Sequence, residues 1–160
     1  MNKYESIKAD MTTALKNGDK LRRLTLADMV ATIDKAAMAG KTRVEITDEF
    51  VDEVLIKYQK TIQEMVDTCP ETATDPQREA ELKARKAEYS AKLAIVIGYA
   101  PRVINDPFEV ETLILNFACD NNITLTAANR GTIMKSIMPF LKQNKCDMKV
   151  AQDVLKRVIV

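Results

Sequence analysis

Residues 47–69 read TDEFVDEVLIKYQKTIQEMVDTC and contain the clearest indication of fold class in this 160-residue chain. Apolar positions there step by four, three, four and three residues, at Val51, Leu55, Tyr58, Ile62 and Met65. This heptad spacing lays one apolar stripe along a helix, and the stripe needs a second helix to cover it.

Thr47 can cap the helix, and Asp48 and Glu49 stand in the first turn, where negative charge is favoured. We therefore expect a long helix with a partner.

The partner helix is predicted immediately after the turn-like residues 69–74. Asp75-Pro76 is a strong helix start, because aspartate caps the first amides and proline fits the first helical position. An apolar stripe follows at Leu82, Tyr89, Leu93 and Val96. The two helices are expected to form a long antiparallel hairpin.

Two further helices are predicted before this hairpin. The first ends at Asn17-Gly18, and the second runs from near Lys20 to Ala39, with Gly40 as its stop. Their inward positions are predicted to be Tyr4, Ile7, Met11, Leu15, Leu26, Val30, Ile33 and Ala37. The alternating residues 42–46 are too few for a sheet and are interpreted as an extended connector.

Three shorter helices are predicted after Tyr99-Ala100-Pro101, where proline ends the preceding run. Asp106-Pro107 starts the first, with Glu109 placed to bond back to the cap amide. Thr126 is expected to cap the second and Asp147 the third. Their inward positions are predicted to be Phe108, Val110, Leu113, Ile114, Phe117, Ile133, Met134, Ile137, Met138, Leu141, Val150, Val154, Leu155 and Val158.

The sequence thus predicts an all-α protein with two domains. Residues 1–100 are expected to form an N-terminal helical bundle that contains the long antiparallel hairpin. Residues 101–160 are expected to form a small three-helix C-terminal domain. The composition, 46% hydrophobic and 29% charged, is that of a chain that folds on its own.

Cysteine usage and hydropathy predict a cytoplasmic location. The three cysteines are odd in number and lack CxxC spacing, so neither a disulfide framework nor a zinc site is indicated. Cys119, between Ala118 and Asp120, is expected to be a small buried residue. No run approaches the roughly 20 apolar residues that a bilayer crossing needs, so membrane association is not expected.

The residue inventory argues against catalysis. The chain contains no histidine, which removes the commonest general base and metal ligand at neutral pH. No cysteine has an evident base beside it, and no glycine-rich phosphate loop is present. We expect no catalytic residue, no metal and no cofactor, and an amidase-type enzyme acting alone ranks last among the hypotheses.

Positive charge is concentrated at the C-terminal end, although the net charge is only +1. Residues 121–160 carry seven basic and two acidic side chains. Candidate phosphate contacts are Arg130, Lys135, Lys142, Lys145 and Lys149. Lys135 and Lys142 are two helical turns apart and so share one side of a helix. Such a stripe could bind nucleic-acid phosphates; the alternative is an ordinary solvated face opposite a methionine-rich core.

A second candidate surface is the exposed side of the long hairpin. It carries Lys57, Lys60, Gln63 and Glu64, which could dock a protein partner or could form a solvated charged face. Met134, Met138 and Met148 could likewise serve as an adaptable docking surface or as core filler.

The order of predicted helices resembles the GatB/YqeY family. Residues 131–139 read GTIMKSIMP and resemble that family's Gly-Lys-Val-Met-Gly-x-x-Met-Pro segment. Tyr99-Ala100-Pro101 followed by Asp106 resembles its Tyr-Leu-Pro hinge and acidic helix start, and Asp10-Met11 resembles part of its opening helix. The chain departs from the family pattern at Ala27, Lys135, Gln143-Asn144 and Met148.

The resemblance implies a binding role. The related domain is the tail of the GatB subunit of tRNA-dependent amidotransferases, where it helps to hold tRNA while a separate core performs the chemistry. We therefore expect a non-catalytic, RNA-associated binding module that contacts tRNA or other structured RNA through the basic C-terminal face. The alternative is a protein-interaction factor that docks a partner, such as a tRNA-handling protein, through the long hairpin.

Overall fold

A computed structural model describes all 160 residues, and it is all-helical, as predicted. The chain divides into two compact units, Met1–Pro101 and Arg102–Val160. The first contains α1 (Lys3–Lys16), α2 (Lys20–Ala37), α3 (Asp48–Thr68) and α4 (Pro76–Ile97). The second contains α5 (Pro107–Asp120), a 3₁₀ turn (Ala127–Asn129), α6 (Arg130–Gln143) and α7 (Met148–Val158). There is no β-strand, and residues 42–46 connect α2 to α3 without regular structure.

Four predicted helix caps are confirmed by their hydrogen bonds. The side chain of Thr47 accepts from the amide of Phe50 at 3.2 Å. In the same way, Asp75 starts α4, Asp106 starts α5 and Asp147 starts α7, each carboxylate accepting a backbone amide within the first turn. Each of these starts rests on contacts within a few residues, which is why the sequence predicts them.

Three predicted helix-end details are wrong. Thr126 makes no side-chain cap; it precedes the 3₁₀ turn, and α6 begins only at Arg130. Glu109 does not return to the cap of α5 but accepts from Arg102 at 3.0 Å. Gly40 does not end α2, which stops at Ala37; the carbonyl of Ala37 then accepts from the amide of Val44 at 2.9 Å.

The turn between α1 and α2 depends on glycine, as predicted. Gly18 has φ of 71°, in the left-handed region that disfavours other L-residues. The amide of Gly18 donates to Leu15 at 3.2 Å and that of Asp19 donates to Ala14 at 3.0 Å, which is a Schellman motif. Asn122 and Lys145 occupy the equivalent left-handed position after α5 and α6, with φ of 52° and 56°.

The core of Met1–Pro101 is built from one face of each helix. Its buried residues are Ile7, Leu26, Met29, Ile33, Val51, Val54, Leu55 and Val96. Within this unit α1 packs on α2, α2 packs on α3 and α4, and α3 packs on α4. Leu15, predicted to face inward, is 60% exposed, because Ala14 takes the buried position in the last turn of α1.

The core of Arg102–Val160 is formed by α5, α6 and α7, which contact one another. Its buried residues are Val110, Ile114, Ile133, Ile137, Leu141, Cys146, Ala151, Val154 and Leu155. Phe108 and Cys119, predicted to be buried, are both exposed, Phe108 by 76%. Val110, Ile114 and Ala118 define the inner face of α5 at four-residue spacing, and Phe108 and Cys119 lie outside that row.

A polar network joins α1, α2 and the segment after α4. The hydroxyl of Tyr99 donates to the carboxylate of Asp10 at 2.6 Å and accepts from the guanidinium of Arg22 at 2.8 Å. The guanidinium carbon of Arg22 also lies 5.8 Å from the centre of the Tyr99 ring. Burial, followed by the hydrogen bond to Asp10, raises the pKa of Tyr99 to about 12. The network fixes the end of α4 against the first two helices.

Candidate nucleic-acid interface

Three of the predicted phosphate contacts lie on α6, and all three are exposed. Arg130 is its first residue, Lys135 lies in the middle and Lys142 lies in the last turn. The buried side of α6 is formed by Ile133, Ile137 and Leu141. At 100° per residue, Lys135 and Lys142 lie within about 20° of each other on the helix surface. Arg130 is rotated by more than 100° from that pair, so it occupies a different side.

Lys145 and Lys149 lie on the connection between α6 and α7 and in the first turn of α7. Lys149 is exposed, and its amide donates to the capping carboxylate of Asp147 at 2.9 Å. Lys145 is half-buried and has the left-handed backbone that ends α6. Its carbonyl accepts from the amide of Ile104 at 3.0 Å, and the amide of Asp147 donates to the carbonyl of Ile104 at 2.8 Å. This short parallel bridge fixes the connection that carries both lysines.

Several carboxylates of the C-terminal unit bond to other groups. Glu109 pairs with Arg102, and Glu111 pairs with Arg157. Asp147 bonds to backbone amides of α7. No carboxylate forms an ion pair with Arg130, Lys135, Lys142 or Lys149. These cations are therefore available to bind an external anion.

Arg130 lies in a shallow groove between α6 and α7, of about 120 Å³, together with Lys156. The groove is also lined by Met134, Gln152, Leu155 and Ile159. Lys156 was not among the predicted contacts, although it follows Lys149 by seven residues, the same interval that separates Lys135 from Lys142. The seven-residue interval from Lys149 is therefore the sequence pattern from which Lys156 could have been predicted as a further contact. Its only ion pair is a long one, 3.8 Å, with the exposed Asp153.

Aromatic and methionine side chains contribute little to this surface. The ring of Phe140 stacks on that of Phe117 at a centroid distance of 4.4 Å, so it is engaged in the core. Met134 and Met138 are half-buried and pack against the same core. They therefore contribute mainly to packing in the core. Contact with a nucleic acid would therefore depend on phosphates rather than on stacking with bases.

The residues predicted for protein docking lie on one side of α3. Lys57, Lys60, Gln63 and Glu64 are all exposed, opposite the buried Val51, Leu55 and Ile62. Gln63 donates to Asp67 at 2.9 Å, whereas Lys57, Lys60 and Glu64 make no bond to another side chain. This face is polar and mixed in charge.

No cluster of cysteine and carboxylate side chains could hold a metal ion. Burial, with a smaller effect of Glu109, raises the pKa of the Cys146 thiol, so this cysteine is a poor nucleophile at neutral pH. None of the helices combines the length and the apolar composition that a membrane-spanning segment requires.

The fold and this surface define a small all-helical protein whose last two helices present cations without carboxylate partners. A family model named YqeY and described as Yqey-like protein matches residues 4–159. The chain therefore belongs to the Yqey-like family, and the predicted resemblance to that family is confirmed. A search of the curated proteins finds no match.

Proposed function

We propose that this protein is a non-catalytic, RNA-associated binding module. It contacts tRNA or other structured RNA through a basic C-terminal surface. The proposed contacts are Lys135 and Lys142 on one side of α6, Arg130 on another side of that helix, and Lys145 and Lys149 after it. The observation that carries the proposal is the exposure of Arg130, Lys135, Lys142 and Lys149 without any carboxylate partner. Lysine and arginine in this state release counterions from the nucleic acid when they bind its phosphates.

The proposed architecture is that expected from the sequence. It is an N-terminal helical bundle with a long antiparallel hairpin, α3 and α4, followed by a three-helix C-terminal domain. The resemblance to the tail of the GatB subunit supports a tRNA ligand, and any amidotransferase chemistry would belong to a separate core. The proposal places the protein in the cytoplasm, where tRNA is handled.

The test is binding to bulk tRNA across a salt series. Four or five phosphate contacts at this face should contribute about −4 to the slope of the logarithm of affinity against the logarithm of salt concentration. Lys135→Glu/Lys142→Glu should weaken binding at low salt by at least about 10-fold and reduce the slope by about 2. Lys57→Glu/Lys60→Glu makes the same charge change on α3 and serves as the matched control. Equal loss in both variants, or no binding by the native protein at low salt, contradicts the proposal.

The second candidate function is protein docking through the long hairpin. It is favoured by the side chains of Lys57, Lys60 and Glu64, which are exposed and make no bond within the protein. Affinity capture from a native lysate treated with nuclease isolates this function, because only partners held by protein contacts remain. A partner lost from Lys57→Ala/Lys60→Ala/Glu64→Ala, but retained by Lys135→Ala/Lys142→Ala, would identify the hairpin as its docking surface.

A further inference from the structure

A second group of basic side chains surrounds the turn between α1 and α2. Lys16 is the last residue of α1, and Lys20, Arg22 and Arg23 lie in the first turn of α2. The Schellman motif at Gly18 reverses the chain between them, so all four lie within about one helical turn of the same reversal. We call these four residues the turn cluster.

No carboxylate forms an ion pair with any member of the turn cluster. Two acidic residues lie nearby, and the carboxylate of each accepts a hydrogen bond from a group outside the turn cluster's side chains. The carboxylate of Asp19 accepts from the backbone amide of Arg22 at 3.0 Å, which caps α2. The carboxylate of Asp10 accepts from the hydroxyl of Tyr99 at 2.6 Å. Elsewhere in the same unit, Lys3, Arg43, Lys83, Lys86 and Lys92 each have a carboxylate partner.

Arg22 is held in place without being neutralised. One of its terminal nitrogens donates to the Tyr99 hydroxyl at 2.8 Å, and its guanidinium lies beside the Tyr99 ring. A guanidinium has five N–H donors, and this is its one hydrogen bond to another side chain. No side-chain nitrogen in the protein is both buried and unbonded, so the remaining donors of Arg22 are accessible to solvent. A half-buried, positioned guanidinium with free donors is suited to bidentate binding of a phosphate.

We propose that the turn cluster is a second RNA-phosphate site, in which Arg22 binds a phosphate with its free donors while Lys16, Lys20 and Arg23 neutralise neighbouring phosphates. A phosphodiester backbone is the favoured ligand because it presents anions at regular intervals along its length, whereas a single carboxylate would engage only one of the four cations. The proposal rests on the RNA-binding function above, and it adds a contact surface on the N-terminal unit.

The experiment measures binding of the full-length protein to bulk tRNA across a salt series. The turn-cluster variant is Lys16→Glu/Lys20→Glu/Arg23→Glu, which leaves Arg22 and its hydrogen bond intact. We expect its affinity at low salt to fall by about 10- to 100-fold, and its salt slope to decrease by about 2 to 3. The control Lys57→Glu/Lys60→Glu/Arg85→Glu makes an equal charge change on α3 and α4, at exposed residues without carboxylate partners. An equal loss in the control overturns the proposal.

A third variant, Lys135→Glu/Lys142→Glu/Lys149→Glu, separates this proposal from the one it extends. Loss of binding in the turn-cluster variant alone supports the turn cluster and contradicts the C-terminal face. Loss in the C-terminal variant alone leaves the proposed function intact and overturns the turn cluster. Native affinity in the turn-cluster variant, together with binding to an acidic protein, would likewise overturn it.

The placement of Arg22 is tested by Tyr99→Phe. This variant keeps every charge in the turn cluster and removes only the hydroxyl that positions the guanidinium. We expect affinity to fall by about 3- to 10-fold with an unchanged salt slope, because the number of phosphates neutralised stays the same. Unchanged affinity in a variant that retains its native circular dichroism spectrum overturns the positioning role.

Discussion

Gly18 determines how the first two helices are connected. Its φ of 71° lies where a Cβ atom approaches the following carbonyl, which disfavours every other common L-residue. A Cβ built at Gly18 would meet no other atom within 4 Å. Any cost of adding a side chain there is therefore a cost of the backbone conformation and not of a clash.

Gly18→Ala is expected to lower the free energy of unfolding by about 1 kcal/mol. Gly40→Ala is the matched control, since Gly40 has no left-handed backbone and an added Cβ would make only an ordinary contact with the carbonyl of Thr42 at 3.6 Å. Urea denaturation followed by circular dichroism measures both variants. Equal destabilisation of the two would mean that the Schellman geometry does not set the cost.

Because of Tyr99, the stability of the N-terminal unit is expected to change with pH in the alkaline range. Its pKa is raised from 10.0 to about 12, so the folded protein holds this proton more tightly than the unfolded chain. The resulting stabilisation is complete below pH 10 and is lost as the pH rises through about 12. Tyr99→Phe should cost about 1 kcal/mol at neutral pH and should remove this part of the alkaline decline. Denaturation of the native protein and of Tyr99→Phe between pH 8 and pH 12 measures this effect. Parallel curves of the free energy of unfolding against pH would contradict the prediction.

At the scale of single helices, the start of α7 is fixed by two hydrogen bonds to one carboxylate oxygen. Oδ1 of Asp147 accepts from the amides of Lys149 and Val150, at 2.9 and 3.3 Å. Asp147→Ala should therefore lower the free energy of unfolding by about 1 kcal/mol. Asp153→Ala removes a carboxylate from the same helix, where it makes only an exposed ion pair of 3.8 Å with Lys156, and should cost less than about 0.5 kcal/mol. Chemical denaturation of the two variants tests the difference.

Helix starts could be predicted from sequence where their chemistry is local. Thr47, Asp75, Asp106 and Asp147 each bond to an amide two or three residues ahead, and all four predictions are confirmed. The start of α6 could not be predicted in this way. The amide of Ala127 donates to the carbonyl of Val160, 33 residues away, at 3.0 Å, and Thr126 is left without a capping role. A bond to the chain terminus has no local pattern.

The burial of residues near helix ends was also hard to predict. Leu15 and Phe108 fit an apolar series by type, yet the last turn of α1 and the first turn of α5 turn these side chains to solvent. For the candidate site, the interval of Lys135 and Lys142 was sufficient to indicate a shared side. The hydrogen bond between Arg22 and Tyr99 could not be predicted from the sequence, because the two residues are 77 positions apart.

At the scale of the whole molecule, the near-neutral net charge conceals separated charges. Glu109 and Glu111 of α5 pair with Arg102 and Arg157, whereas the exposed cations of α6 and the first turn of α7 have no carboxylate partner. A polyanion would therefore experience a local field that the net charge of +1 does not indicate.

Residues 102–160 are expected to fold as a separate polypeptide. They have their own buried cluster, and their about 60 residues are within the range in which single domains fold alone. The fragment must include Val160, whose carbonyl accepts from Ala127. A cooperative thermal transition and a helical circular dichroism spectrum would confirm the predicted C-terminal domain, and a non-cooperative melt would contradict it.

The unequal exposure of the three thiols has a practical consequence. Cys119 is exposed on α5, Cys69 is half-buried and Cys146 is buried. A maleimide dye should therefore modify Cys119 first, on a helix that carries none of the candidate phosphate contacts. Fluorescence anisotropy of that dye could then follow tRNA titrations while every proposed phosphate contact keeps its native side chain.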